Sequence, residues 1–246
     1  MQYFFGLKFE FSHRTLLDIV DEAVSAGKTG YVCALDGNNV ASAIENPAHR
    51  DVLNGALVNN ADSNWVTMMV NRIYGTDYEH YCSSDMFVDI INGKKYRQFY
   101  LGSSRPVLDS LRKQLSAKYD SAIAGMPFEE LPFCSLEEFD YQGIADKINA
   151  CSPDIVWISL GAPKQEAFMQ RLQPYLNRGV MFGVGAIFNF FSDLKNVERR
   201  APQWIIRLKM EWLYRLLTQP GKQFRRCWKI ATILPKAYRM EKRNKG

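Results

Sequence analysis

Short apolar runs alternate along this chain with segments whose apolar positions recur every three or four residues. "FFGLKFEF" (Phe4 to Phe11) and "YVCALD" (Tyr31 to Asp36) read as strands flanking a helix over Leu16 to Ala26. "YRQFYLG" (Tyr96 to Gly102) is followed by "PVLDSLRKQL", whose Val107, Leu108, Leu111 and Leu115 share one helical face. "AIAGMPF" is a further candidate strand, and "LEEFDYQGIADKINA" a helix. The buried run Ile155 to Leu160 ends in Gly161, a helix opens on "PKQE", and "VMFGVG" (Val180 to Gly185) is the next strand. This alternation predicts an α/β fold, a Rossmann-like, mostly parallel sheet flanked by helices. Near Asn196 the pattern changes. Ile205, Leu208, Trp212 and Leu216 line one face of a helix rich in Arg and Lys, with Pro202 near its start. "QPG" at 219–221 ends that helix, and a second basic helix runs on through Tyr238. We expect a core over residues 1–195 and a basic helical appendage over 196–246.

Charge sharpens this division. The 246 residues carry a net charge of +5, but residues 195–246 hold 15 Lys and Arg against 3 Asp and Glu, while the rest hold 16 against 23. A basic tail on an acidic body points to an anionic partner: phospholipid, nucleic acid or a phosphorylated substrate. Aromatic residues interleaved with the bases (Trp204, Trp212, Tyr214, Phe224, Trp228) fit a helix lying on a membrane surface. No recognised nucleic-acid-binding pattern is present. The apolar fraction of 47% argues against disorder. Five cysteines without CxxC spacing fit reduced thiols. The opening residues lack the basic stretch and long apolar core of a signal peptide, and no window is apolar enough for a membrane span.

Candidate chemistry sits where strands end. "YLGSS", "SLGAPKQE" and "FGVGAIFNF" place Gly102, Gly161, Gly183 and Gly185 at strand–helix junctions, where ligands bind in open α/β sheets. Lys164, Gln165 and Glu166 crowd the first turn of one helix, as a binding site or simply as a well-capped helix. The dinucleotide fingerprint is broken, because Phe188 fills its third glycine position. Asp62 in "NNADSNW", read as following a helical stretch, is a general base or an Asx-turn; Asp36 in "ALDGNN" invites the same two readings. Asp77 and Asp85 flank His80 and Cys82 at spacings that match no familiar metal site, and there is no DxD. No metal and no cofactor are expected. Serine and cysteine hydrolase patterns are missing as well.

In their order and spacing, "PDIVWISLGAPKQE", "GVGAIFNFFS", "RRAPQW" and "EWLYRLLTQPGKQFRR" resemble the WecG/TagA/CpsF family of glycosyltransferases, over roughly residues 30–227. The resemblance implies inverting, metal-independent transfer of an N-acetylmannosamine-type sugar from a UDP donor to a polyprenyl-diphosphate-linked amino sugar. It also implies a protein peripheral to the cytoplasmic face of the membrane, engaged in cell-surface polysaccharide synthesis. Asp62 falls where the family has its candidate base, and Gln165 where it has a residue near the reacting sugar. Pro163, Lys164 and Glu166 complete the family's PKQE. Asp85 closes a Ser-Ser-Asp in place of Gly-Ser-Asp, Asp36 replaces an asparagine, and Asn189 stands where Phe-Asp-Phe is usual. Arg200, Arg207 and Arg215 of the appendage are expected to help neutralise the leaving diphosphate. The alternative is a non-catalytic nucleotide-binding module docked on membrane or nucleic acid through its tail.

Overall fold

The computed structural model describes residues 1–194, 202, 205, 211–218 and 220–245. Six parallel strands form the central sheet: β3 (Thr29–Ala34), β4 (Val58–Asn60), β5 (Gln98–Gly102), β6 (Phe128–Glu129), β7 (Ile155–Ser159) and β8 (Gly179–Gly183), in the order β4-β3-β8-β7-β5-β6. Register pairs such as Ala34 with Asn60, Ile158 with Gly183, and Gly102 with Ser159 bring the carboxyl ends of five strands onto one edge. The expected α/β fold with a mostly parallel sheet is what the chain forms.

The strands read as nearly continuous apolar runs because both sheet faces are covered. One face carries Tyr31, Cys33, Phe99, Leu101, Val156, Ile158 and Met181. Packed on it are α2 (Gly37–Glu45), α3 (Pro47–Asn54), α4 (Asn64–Tyr74), α7 (Tyr141–Cys151) and α8 (Lys164–Leu172). The other face, with Val32, Tyr100, Ile155, Trp157, Val180 and Phe182, receives α1 (His13–Ser25), α5 (Ser83–Asn92), α6 (Arg105–Lys118) and α9 (Ile187–Phe191). Trp157 is fully buried yet satisfied, its Nε1 donating to Gln98 Oε1 at 2.7 Å. The starts of α1 and α2 are capped by side chains. Ser12 Oγ accepts from Thr15 N, and Asp36 Oδ1 accepts from Asn39 N at 2.8 Å.

Four sequence expectations need correcting. "FFGLKFEF" is a hairpin outside the parallel sheet, β1 (Gln2–Phe4) against β2 (Leu7–Phe9), because Phe5 and Gly6 both adopt positive φ (54° and 73°), which folds the run back on itself. "AIAGMPF" is mostly a 3-10 turn (Ser121–Gly125), leaving only β6 as strand. The helix expected over Leu136 to Ala150 starts only at Tyr141, capped by Asp140. Asp62 follows a strand, β4, and not a helical stretch.

The appendage helices are α10 (Glu211–Thr218) and α11 (Pro220–Lys245). Pro220 opens α11, so the "QPG" that ends one helix also begins the next. Leu234 and Ala237 are buried against the core, and Ile230 and Leu234 come within 3.5 Å of where a Cβ on Gly37 would stand. The expected boundary at residues 195 and 196 and the apolar stripe through Leu208 lie outside the described residues. No helix among the described residues is long and apolar enough to cross a membrane.

Candidate active site

Along the carboxyl edge the sequence candidates line up strand by strand: Asp62 after β4, Asp36 after β3, Gly183 and Gly185 at β8, Gly161 to Glu166 after β7, and Gly102 at β5. Neighbouring strands lie about 4.8 Å apart, so the ends of β4 and β7 are about 14 Å apart. Asp62 and the PKQE turn therefore stand three strand spacings apart on the sheet edge whose crevice, the groove, takes ligands in open α/β folds, with β7 toward its middle.

Asp62 is half-buried. Its Oδ1 accepts from both the backbone N–H (2.6 Å) and the hydroxyl (2.7 Å) of Ser83, the first residue of α5. A carboxylate held at a helix N-terminus in this way has its orientation fixed and its charge favoured. The same anchoring brings Asp85, exposed on the first turn of α5, into the neighbourhood. Ser83 was not singled out from the sequence as a partner, because 21 residues separate it from Asp62.

The PKQE turn is built inward. Gln165 is 4% exposed, and its Oε1 accepts from Gly161 N (3.2 Å) and Gly185 N (2.9 Å). Its Nε2 donates to Glu166 Oε1 at 3.1 Å. A Cβ on Gly183 would stand 2.9 Å from Met169 Cε and 3.0 Å from Gln165 Nε2, so a side chain there would displace the Gln165 amide. Glu166 is fully buried, and burial pushes the pKa of its carboxyl upward against the hydrogen bonds from Gln165 and Asn39. Lys164 turns to the 133–139 loop, where Nζ donates to the Cys134 carbonyl and lies 4.9 Å from the centre of the Phe139 ring. Pro163 is exposed and follows a cis peptide bond. Asn189, half-buried, lies on the short α9.

Two of the glycine N–H groups expected to face a phosphate are thus spent on Gln165. At the turn after β5, Gly102 and Ser103 both have positive φ (107° and 64°), and Ser104 makes no side-chain bond to the first turn of the 14-residue α6. That helix start already holds a carboxylate: Arg105 N donates to Glu130 Oε2 at 3.1 Å, and Pro106 has no N–H to offer.

Asp36 is claimed from the appendage side. It forms an ion pair with Arg226 of α11, while Lys229 on the next turn donates to Ser42 Oγ (3.0 Å) and pairs with Glu45 (3.1 Å). Burial, reinforced by Lys229, lowers the pKa of His49, favouring a neutral ring. Arg200 and Arg207, and the side chain of Arg215, lie outside the described residues. Among those described, no three His, Cys, Asp or Glu side chains gather to hold a metal.

The sequence profile of the "Glycosyl transferase WecG/TagA/CpsF family" matches residues 3–246. An N-acetylglucosaminyldiphosphoundecaprenol N-acetyl-beta-D-mannosaminyltransferase of Bacillus spizizenii is 31% identical over 199 residues, covering 79% of this chain and 71% of its own length. A protein of the same name from Bacillus subtilis is 29% identical over 227 residues, 90% of this chain and 83% of its own.

Proposed function

The chain belongs to the WecG/TagA/CpsF family of glycosyltransferases, and from that premise we propose that it transfers an N-acetylmannosamine-type sugar from a UDP donor, with inversion and without a metal, to a polyprenyl-diphosphate-linked amino sugar. The observation that carries this reading is the placement of Asp62, a carboxylate whose orientation is fixed by Ser83, on the carboxyl edge of the parallel sheet, where ligands bind in open α/β folds. The names of the relatives supply the class of donor and acceptor sugar.

In the proposed reaction the acceptor hydroxyl oxygen attacks the anomeric carbon of the donor from the face opposite the nucleotide. Asp62 takes the hydroxyl proton as the new C–O bond forms. The bond from the anomeric carbon to the diphosphate oxygen breaks, and UDP leaves with the electron pair. Arginines of the appendage offset the charge that builds on the diphosphate, the duty a metal performs elsewhere. The separation of about 14 Å between the ends of β4 and β7 suits an extended donor with its nucleotide toward β7 and β5 and its sugar toward Asp62. We read the basic, aromatic face of α11 as the surface that meets anionic lipid, a reading that suits an enzyme working at the cytoplasmic side of the membrane that holds its acceptor.

The test is sugar transfer to a synthetic polyprenyl-diphosphate-N-acetylglucosamine from a panel of UDP sugars, with EDTA present, for the wild type and Asp62→Asn. General-base catalysis predicts a fall of about 100-fold or more in the variant with UDP binding retained. Equal rates in the two proteins would remove Asp62 as the base, and UDP binding without any transfer would favour a non-catalytic module.

A further inference from the structure

We propose that Glu166 is a positioning residue whose single oxygen, Oε1, sets the geometry of three adjacent strand-end loops. This inference rests on the transferase reading and concerns the same groove. Oε1 accepts from Gln165 Nε2 at 3.1 Å and from Asn39 Nδ2 at 3.3 Å. Each amide carries the constraint onward. Gln165 Oε1 holds the N–H of Gly161 after β7 and the N–H of Gly185 after β8. Asn39 Nδ2 also donates to the Ala34 carbonyl at the end of β3, at 2.8 Å. β3, β8 and β7 are consecutive in the sheet, so one buried carboxyl ties together the middle of the groove.

The donor–acceptor pattern admits one arrangement. Gly161 and Gly185 present N–H groups, so Gln165 must turn its oxygen toward them and its NH2 toward Glu166. Asn39 must turn its NH2 toward Ala34, which directs its Oδ1 to His49 Nε2 at 3.3 Å and requires a proton on that nitrogen. Oε1 has two lone pairs, and the two amides use both. Oε2 has no hydrogen-bond partner among the described residues. Burial raises the pKa of the carboxyl. What the loops take from Glu166 is acceptance at Oε1.

The experiment compares Glu166→Gln and Glu166→Met in the full chain, reading kcat, UDP affinity and the backbone amide resonances of Gly161 and Gly185 in 15N-labelled protein. Glutamine keeps an acceptor oxygen in place, so kcat is expected within about 3-fold of wild type and the two resonances are expected not to move. Methionine keeps the bulk and loses the acceptor. Misplaced loops are then expected to lower kcat by about 100-fold, with both glycine resonances shifted. Glu166→Asp, which withdraws the carboxyl by one methylene, serves if the methionine variant does not fold, and is expected to show the same shifts with a smaller loss. Wild-type kcat in the methionine or aspartate variant would overturn the inference. So would a loss of rate with unmoved glycine resonances, or a glutamine variant as impaired as the methionine one. If the wild type transfers no sugar from any donor, the function proposed above fails, while the resonances still decide whether Glu166 sets the loops.

Discussion

At the scale of single residues, the groove depends on backbone geometry that few side chains tolerate. Gly102 combines φ of 107° with a close approach: a Cβ there would lie 2.6 Å from the Ser159 carbonyl oxygen of the neighbouring strand. Gly27 has a similar left-handed φ of 62° but nothing within 4 Å of such a Cβ. Alanine at Gly27 is therefore expected to cost about 1 kcal/mol for strain alone. Alanine at Gly102 must also push two paired strands apart, and we expect a loss of about 3 kcal/mol or more. Denaturant unfolding of the two variants side by side checks this, and equal losses would show that the β5–β7 contact gives way easily. Asp62 and Ser83 teach the complementary lesson: the carboxylate proposed as the base is oriented by a helix start far away in sequence.

At the scale of elements, the decisive contact is α11 on α2. It combines the apolar seam through Leu234 with ion pairs from Arg226 and Lys229 on successive turns. Arg226 is mostly buried, and Asp36 is occupied at once by capping α2 and by pairing with it. Arg226→Gln leaves Asp36 without its cation, at an expected cost of about 1–3 kcal/mol to the docked helix. Faster limited proteolysis within residues 220–245, with the melting of the core little changed, is the outcome we expect. Unchanged proteolysis would mean that the apolar seam suffices. Arg225 and Arg226 are neighbours in the basic tail, and the structure divides them: Arg225 is exposed and Arg226 faces the core.

At the scale of the whole molecule, charge and apolar exposure fall on the same helix. Phe224 and Trp228 are 62% and 65% exposed and stack on one another at 6.3 Å, next to Arg225. Sedimentation with anionic vesicles at two salt concentrations separates their roles. Arg225→Gln is expected to weaken binding mainly at low salt, because exposed charges are screened beyond about 10 Å at 0.1 M. Trp228→Ala is expected to weaken it at both concentrations. Vesicle binding that neither change affects would place the membrane surface elsewhere on the molecule.

Periodicity alone was enough for the α/β class and for most of the strand–helix order through residues 96–183, because apolar spacing reports which face of an element is covered. Gly102, Gly161, Gly183 and Gly185 were legible as strand-end glycines, and the PKQE turn as a helix start, for the same local reason. What the sequence could not disclose depends on groups brought together from distant positions. Only the folded chain pairs Asp62 with Ser83 and Asp36 with Arg226, and turns Lys164 toward Cys134. Only there do Gln165 and Glu166 point into the protein, since hydrogen-bond partners are chosen by three-dimensional proximity and a buried polar group must find whichever partner the fold supplies. The β1–β2 hairpin was hidden for a smaller reason of the same kind: its apolar run is continuous, and the turn lies in the φ of Phe5 and Gly6, which no hydrophobic pattern records.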